Sequence, residues 1–163
     1  MTVALRPMTR DDLDAVMRME QELFAPDTWS RSMYLEELGL TDTRHYLVAA
    51  DAPDGGPGGG QSGGAGEVVG YAGLIAYPDE AHVATIGVTG ARQGQGIGGR
   101  LLDALLAEAD RRRSPEVLLE VRATDEATQR LYRRRGFTPI GVRPRYYVLS
   151  GEDALVMRRE PPR

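Results

Sequence analysis

Apolar residues recur along the chain at two different periods, and the switch between them divides it into alternating strands and helices. Val3 to Arg6 predicts a short strand. Thr9 followed by Asp12 makes a capping-box start for a helix that carries Leu13, Val16, Met17 and Leu23 inward. A second helix is predicted from Ser30 to Leu38, with Tyr34, Leu35 and Leu38 on one face and Gly39 as its stop. Strands are predicted at His45 to Ala50, Val68 to Tyr77 and His82 to Val88. Beyond a glycine run, Ile97, Leu101, Leu102, Leu105, Leu106 and Ala109 share one face of a helix. VLLEV, Val117 to Val121, is nearly all apolar and predicts a central strand. Thr124 or Asp125 can cap a short helix ending at Gly136, and two closing strands are expected near Thr138 to Val142 and Ala154 to Arg158. Alternation of this kind is a mixed α/β layer architecture.

One stretch has no period. DAPDGGPGGGQSGGAGE separates two of the strands and is expected to form a flexible, glycine-rich insertion over residues 52–67. The strands beside it are too short to stand alone, so the reading is one domain over residues 1–163, a size at which 41% apolar content buries a sizeable core. No run approaches about eighteen apolar residues, and the N-terminus lacks a basic-then-apolar signal pattern. A soluble cytoplasmic protein without a membrane partner is therefore expected, as a monomer or weak dimer.

Charge and residue usage narrow the chemistry. The absence of cysteine excludes disulfides, thiolate metal sites and cysteine nucleophiles. His45 and His82 stand alone in strand-like contexts, which disfavours a histidine metal site, and no metal is expected. All 20 basic residues are arginine, in a chain of net charge −4. The runs Arg111 to Arg113 and Arg133 to Arg135 lack interleaved aromatics, so they read as solvated helix ends favoured by the helix dipole rather than as a nucleic-acid surface.

The segment VTGARQGQGIGGRLL, Val88 to Leu102, poses the sharper question of why the backbone loosens just before a good helix. Glycines ahead of a helix N-terminus let backbone N–H groups approach a ligand closely, and the dipole adds partial positive charge, which suits phosphate oxygens. A merely flexible turn is the other reading. The lysine of a nucleotide-triphosphate loop is missing. Gly94, Gly96 and Gly99 match the dinucleotide pattern GxGxxG, with Glu120 about twenty residues on, but that motif places its first glycine at the end of the strand. Here five residues separate Val88 from Gly94, and too little chain follows for the usual further strands. The alternative parse, Gln93-x-x-Gly96-x-Gly98, resembles the acyl-CoA pyrophosphate loop of the GNAT N-acetyltransferases.

The resemblance extends beyond the loop. EAHVATIGVTGARQGQGIGGRLL, LLEVRATDEATQRLYRRRGF and RYYVLSGEDALVM are together similar, in order and spacing, to the RimI-type ribosomal-protein-alanine N-acetyltransferases of that family, closely over Glu80 to Met157 and in outline before it. It implies a single-domain fold with a mixed, mostly antiparallel central sheet flanked by helices, acetyl-CoA as donor, and a protein N-terminus as acceptor, the N-terminal alanine of the eighteenth small-subunit ribosomal protein. It also implies that Ile86, Gly87 and Val88 pair with the pantetheine arm like an added strand. The main chain from Gln93 through Gly94, Gln95, Gly96, Ile97, Gly98 and Gly99 would hold the pyrophosphate. Asp125 stands where the family usually carries a cofactor-contacting Asn, and a carboxylate accepts hydrogen bonds without donating them. Gly87 stands where a small residue such as alanine is common.

Amide formation from a thioester needs a neutral amine, a donor for the developing oxyanion and a proton for the departing thiolate. Glu120 is a carboxylate inside a run of Val and Leu, where an isolated charge is expensive. Either it reaches a cleft at the sheet edge or a bound water, or it is a structural partner of Arg122 or another arginine. Tyr132 is either a core aromatic or a catalyst. The resemblance implies Glu120 as general base, Tyr132 as general acid and the Val88 N–H as oxyanion donor. Trp29, Tyr146 and Tyr147 are candidates for the acceptor groove or for the core. An enzyme acting on a small-molecule amine and a non-catalytic acyl-CoA-binding module remain alternatives, the latter disfavoured by Glu120 and Tyr132.

Overall fold

The structure, a computed structural model, describes residues 2–52 and 66–161, so the expected glycine-rich insertion lies almost wholly outside the described residues. The elements are β1 (Thr2–Pro7), α1 (Leu13–Phe24), α2 (Arg31–Leu38), β2 (Arg44–Ala52), β3 (Val68–Tyr77), β4 (Glu80–Val88), α3 (Ile97–Arg111), β5 (Glu116–Arg122), α4 (Glu126–Arg133), β6 (Phe137–Tyr147) and β7 (Glu152–Arg159). The strands form one open seven-stranded sheet in the order β1-β2-β3-β4-β5-β7-β6.

Helices cover both faces. Strand residues alternate between the two, Leu47 and Ala49 of β2 packing with α3, Tyr46 and Val48 with α1 and α2. All six apolar positions of the predicted α3 face are buried, four of them with no exposure at all: Leu101, Leu102, Leu105 and Ala109. Each of the leucines contributes about 1.5–3 kcal/mol of burial, which fixes α3 rigidly on the sheet. The capping box at Thr9 and Asp12 forms, but it opens a short 3-10 turn that leads into α1, and Asp12 also takes a bidentate ion pair from Arg6. In α2 the expected apolar face is only partly realised: Tyr34 is buried while Leu35 is exposed. Among the described residues no helix is long and apolar enough to cross a membrane.

One topological feature positions everything that follows. β4 and β5 are parallel neighbours, yet they pair only where Glu80, His82 and the residue between them face Glu116 to Leu118. β4 continues to Val88 and β5 to Arg122, so past His82 the two strands diverge and a fork opens in the middle of the sheet. On its other side β4 is held by β3 in antiparallel register, with Gly70 opposite Val88, Ala72 opposite Ile86, and the Thr89 N–H bonded to the Val69 carbonyl at 3.0 Å. Bonded and non-bonded positions alternate along such a ladder, so the main-chain groups of Ile86 and Val88 point away from β3 and into the fork.

Candidate active site

The fork leads into a cleft of about 120 Å³ lined by Ile86 of β4, Glu120 and Arg122 of β5, Asp125 and Tyr132 at α4, Phe24 at the end of α1, Trp29 of the loop after it and Tyr147 of β6. Glu120 thus reaches a cleft, as one of its two readings expected, but in the interior of the sheet rather than at its edge. The arginine-partner reading fails: Arg122 pairs with Asp27 and Glu152 and lies 4.3 Å over the Tyr147 ring.

The expectation that His82 stands alone is also corrected. Its Nε2 lies 2.9 Å from Glu120 Oε1, and the Tyr146 hydroxyl donates to the same oxygen at 3.2 Å. Burial pushes the Glu120 carboxyl up, but the hydrogen bond and charge of His82, with Tyr146 and Arg143 beyond, outweigh it and hold the group below the ordinary 4.5. Glu120 is therefore ionised at neutral pH.

Tyr132 is 3% exposed, packs tilted against Phe137 at a centroid distance of 5.6 Å and borders the cleft, its hydroxyl making no hydrogen bond among the described residues. Burial raises its phenol well above 10, so the proton stays on oxygen throughout the neutral range. Asp125 caps α4, accepting from the Thr128 N–H at 3.1 Å and the Thr128 hydroxyl at 2.7 Å. Both carboxylate oxygens are thus engaged within the chain, although the residue borders the cleft.

At the mouth of the fork lies the glycine loop. Gly94 and Gly96 adopt φ of 81° and 83°, left-handed values that disfavour any side chain, and Gly96 is the N-cap of α3. Arg100 N–H closes the first helical turn onto the Gly96 carbonyl, leaving the N–H groups of Ile97, Gly98 and Gly99 outside the helix ladder. The Ile97 side chain is buried in the core, so any ligand contact there is through the backbone. Gln93 and Gln95 are exposed; the Gln93 amide donates to the Val88 carbonyl at 2.9 Å, and Gln95 accepts from Arg92. Glu22 of α1 grips the loop's start, accepting from the Thr89 hydroxyl and the Gly90 N–H. A Cβ at Gly87 would come within 2.9 Å of the Leu23 side-chain end and 3.1 Å of the Tyr71 ring, so the position is tight and admits at most a small residue. N–H groups outside the helix ladder at a helix N-terminus, beside β4 main-chain groups that do not pair with β3, fit a ligand with a pyrophosphate at one end and an amide-bearing arm along the strand.

A GNAT acetyltransferase family model matches residues 13–137. The chain belongs to this family. Like the family's other members it is an acetyl-CoA-dependent N-acetyltransferase. The chain is 40% identical to the N-alpha-acetyltransferase RimI of Mycobacterium tuberculosis over 97% of its own length and 92% of that protein's. It is 38% identical to the Escherichia coli ribosomal protein bS18-alanine N-acetyltransferase over 81 residues, 48% of this chain and 55% of that one. The crystal structure of an Escherichia coli ribosomal-protein-S18-alanine N-acetyltransferase superposes with a TM-score of 0.80 at 26% identity, covering 99% of this chain and 96% of the other.

Two features around the cleft were not read from sequence. His82 lies 38 positions before Glu120, and only the short parallel pairing of β4 with β5 brings them together. Glu20 of α1 is 1% exposed and accepts from the Trp29 N–H at 2.8 Å, the Tyr34 hydroxyl at 3.0 Å and the Tyr71 hydroxyl at 2.5 Å. It fixes the loop that carries Trp29 to the cleft. The helical period of α1 placed an inward side chain near Glu20, but nothing in the sequence marked a carboxylate there as satisfied.

Proposed function

We propose that this protein is a cytoplasmic N-alpha-acetyltransferase whose acceptor is a protein N-terminus, the N-terminal alanine of a small-subunit ribosomal protein. The observation that carries the reading is the fork itself, which sets an ionised carboxylate across a narrow cleft from a free β-strand edge. Near-full-length identity to an N-alpha-acetyltransferase supports the acceptor class. So do the reference acidities: an α-amine near pKa 8 is about 3 kcal/mol easier to deprotonate at neutral pH than a lysine amine near 10.4.

In this reading Glu120 removes a proton from the acceptor α-ammonium, and the amine nitrogen attacks the thioester carbonyl. The Val88 N–H donates a hydrogen bond to the developing oxyanion, stabilising its charge. As the C–S bond breaks, Tyr132 supplies a proton to the departing sulfur. Ile86, Gly87 and Val88 hold the pantetheine arm, and the Gln93 to Gly99 main chain holds the pyrophosphate. Trp29 and Tyr147 wall the acceptor side, Tyr146 touching Glu120. The test is mass spectrometry of peptides and amines incubated with the protein and acetyl-CoA. Acetylation at the α-amine of peptides beginning with the ribosomal alanine sequence, in preference to lysine side chains and small amines, is the expected result; preferential modification of small amines overturns it.

A further inference from the structure

The two donors that reach Glu120 converge on one oxygen. His82 Nε2 and the Tyr146 hydroxyl both lie against Oε1, whereas Oε2 takes no hydrogen bond among the described residues and is not sealed from solvent. A carboxylate free to rotate presents either oxygen in any orientation. One whose Oε1 is pinned from two strands presents Oε2 alone.

His82 is well placed to do the pinning. It occupies the last paired position of β4 with β5, at the base of the fork, so its backbone is fixed by ladders on both sides. Its side chain is 36% exposed against 8% for that of Glu120, so the ring joins the buried carboxylate to solvent. We propose that His82 is a positioning residue for acetyl transfer: its Nε2–H, donated to Glu120 Oε1, turns Oε2 toward the amine. The proposal rests on the reading of Glu120 as the general base. The groups facing the pair are Arg143, Tyr146 and Tyr147 of β6, Arg122 of β5, Asp125 and Tyr132 at α4, and Glu20 and Asp27 across the cleft. Among them, the donors within hydrogen-bond reach of Glu120 are His82 and Tyr146.

Removing the imidazole leaves burial opposed chiefly by the longer Tyr146 bond. In His82→Leu the Glu120 pKa should therefore rise, by about one to two units if the lost bond has the usual strength of one to a charged group. Carbon-detected NMR titration of the labelled Glu120 carboxyl reads this without turnover. In the same variant kcat should fall about tenfold or more through misorientation, with the KM for acetyl-CoA unchanged, and the acid limb of the kcat profile should move upward. His82→Gln, whose amide can donate to Oε1, should restore most of both. In a Glu120→Gln background the His82 substitution should have no further effect on kcat.

The outcomes separate. A His82→Leu protein with the wild-type Glu120 titration and wild-type kcat overturns the role of His82 while leaving the base assignment intact. A loss of kcat that persists undiminished in the Glu120→Gln background shows that His82 does not act through Glu120, and equally overturns the proposal. Full activity in Glu120→Gln alone overturns the base assignment and the positioning role with it.

Discussion

Replacing Glu120 by glutamine isolates the proton-transfer step, because the amide keeps an oxygen that can accept from His82 and Tyr146. The expected loss follows from the acidity mismatch. The carboxyl is held below 4.5, against an α-ammonium near pKa 8, so the transfer is uphill by at least about 3.5 units, or roughly 5 kcal/mol. General bases contribute about 10²–10⁴ in rate, with the larger values where acidities are matched, and a gap of this size places Glu120 near the lower end. Glu120→Gln should lower kcat about a hundredfold near pH 7. At that pH about a tenth of a free α-amine is neutral, and by about pH 9 about nine-tenths is, so the deficit should shrink by about tenfold on raising the pH. The measurement is kcat and KM on an alanine-starting peptide at saturating acetyl-CoA, with a melting curve to show that the fold is intact. A variant within about twofold of wild type across this range refutes the assignment, and approximation of the amine to the thioester would then have to account for the rate.

Tyr132→Phe removes a proton donor rather than an acceptor, so kcat should fall while alkaline pH fails to restore it; parallel pH profiles for this variant and Glu120→Gln would contradict the division of roles. Acetyl-CoA should raise the melting temperature of the wild type while NAD does not, and Gly96→Ala, which forces a side chain into φ of 83°, should weaken that stabilisation and destabilise the protein by about 1–2 kcal/mol in thermal unfolding. Glu108 is drawn down to about 2, first by its hydrogen bond from Arg111 and further by Arg112, with His45 nearby. A depressed carboxyl stabilises the fold above its unfolded value near 4.5 and loses that contribution as pH falls toward 2, so Glu108→Gln should flatten the drop in melting temperature over that acid window.

The sequence by itself determined the elements, because they are written in local periods. Six apolar residues at helical spacing fixed α3 and its buried face, and VLLEV fixed an interior strand. The glycines ahead of α3 marked a stretch where the backbone must turn without side chains, and Gly94 and Gly96 do adopt positive φ there. Tertiary structure alone decided what surrounds the chemistry. The pairing of β4 with β5 stops after His82, a register that no local pattern encodes, and this opens the fork and sets His82 beside Glu120. Leu35 reads as inward on α2 yet is exposed, whereas Glu20, a charged residue, is buried among hydroxyl and backbone donors drawn from α2, β3 and the Trp29 loop. Burial of a carboxylate depends on partners distant in the chain, and the free energy that decides it is absent until those partners meet.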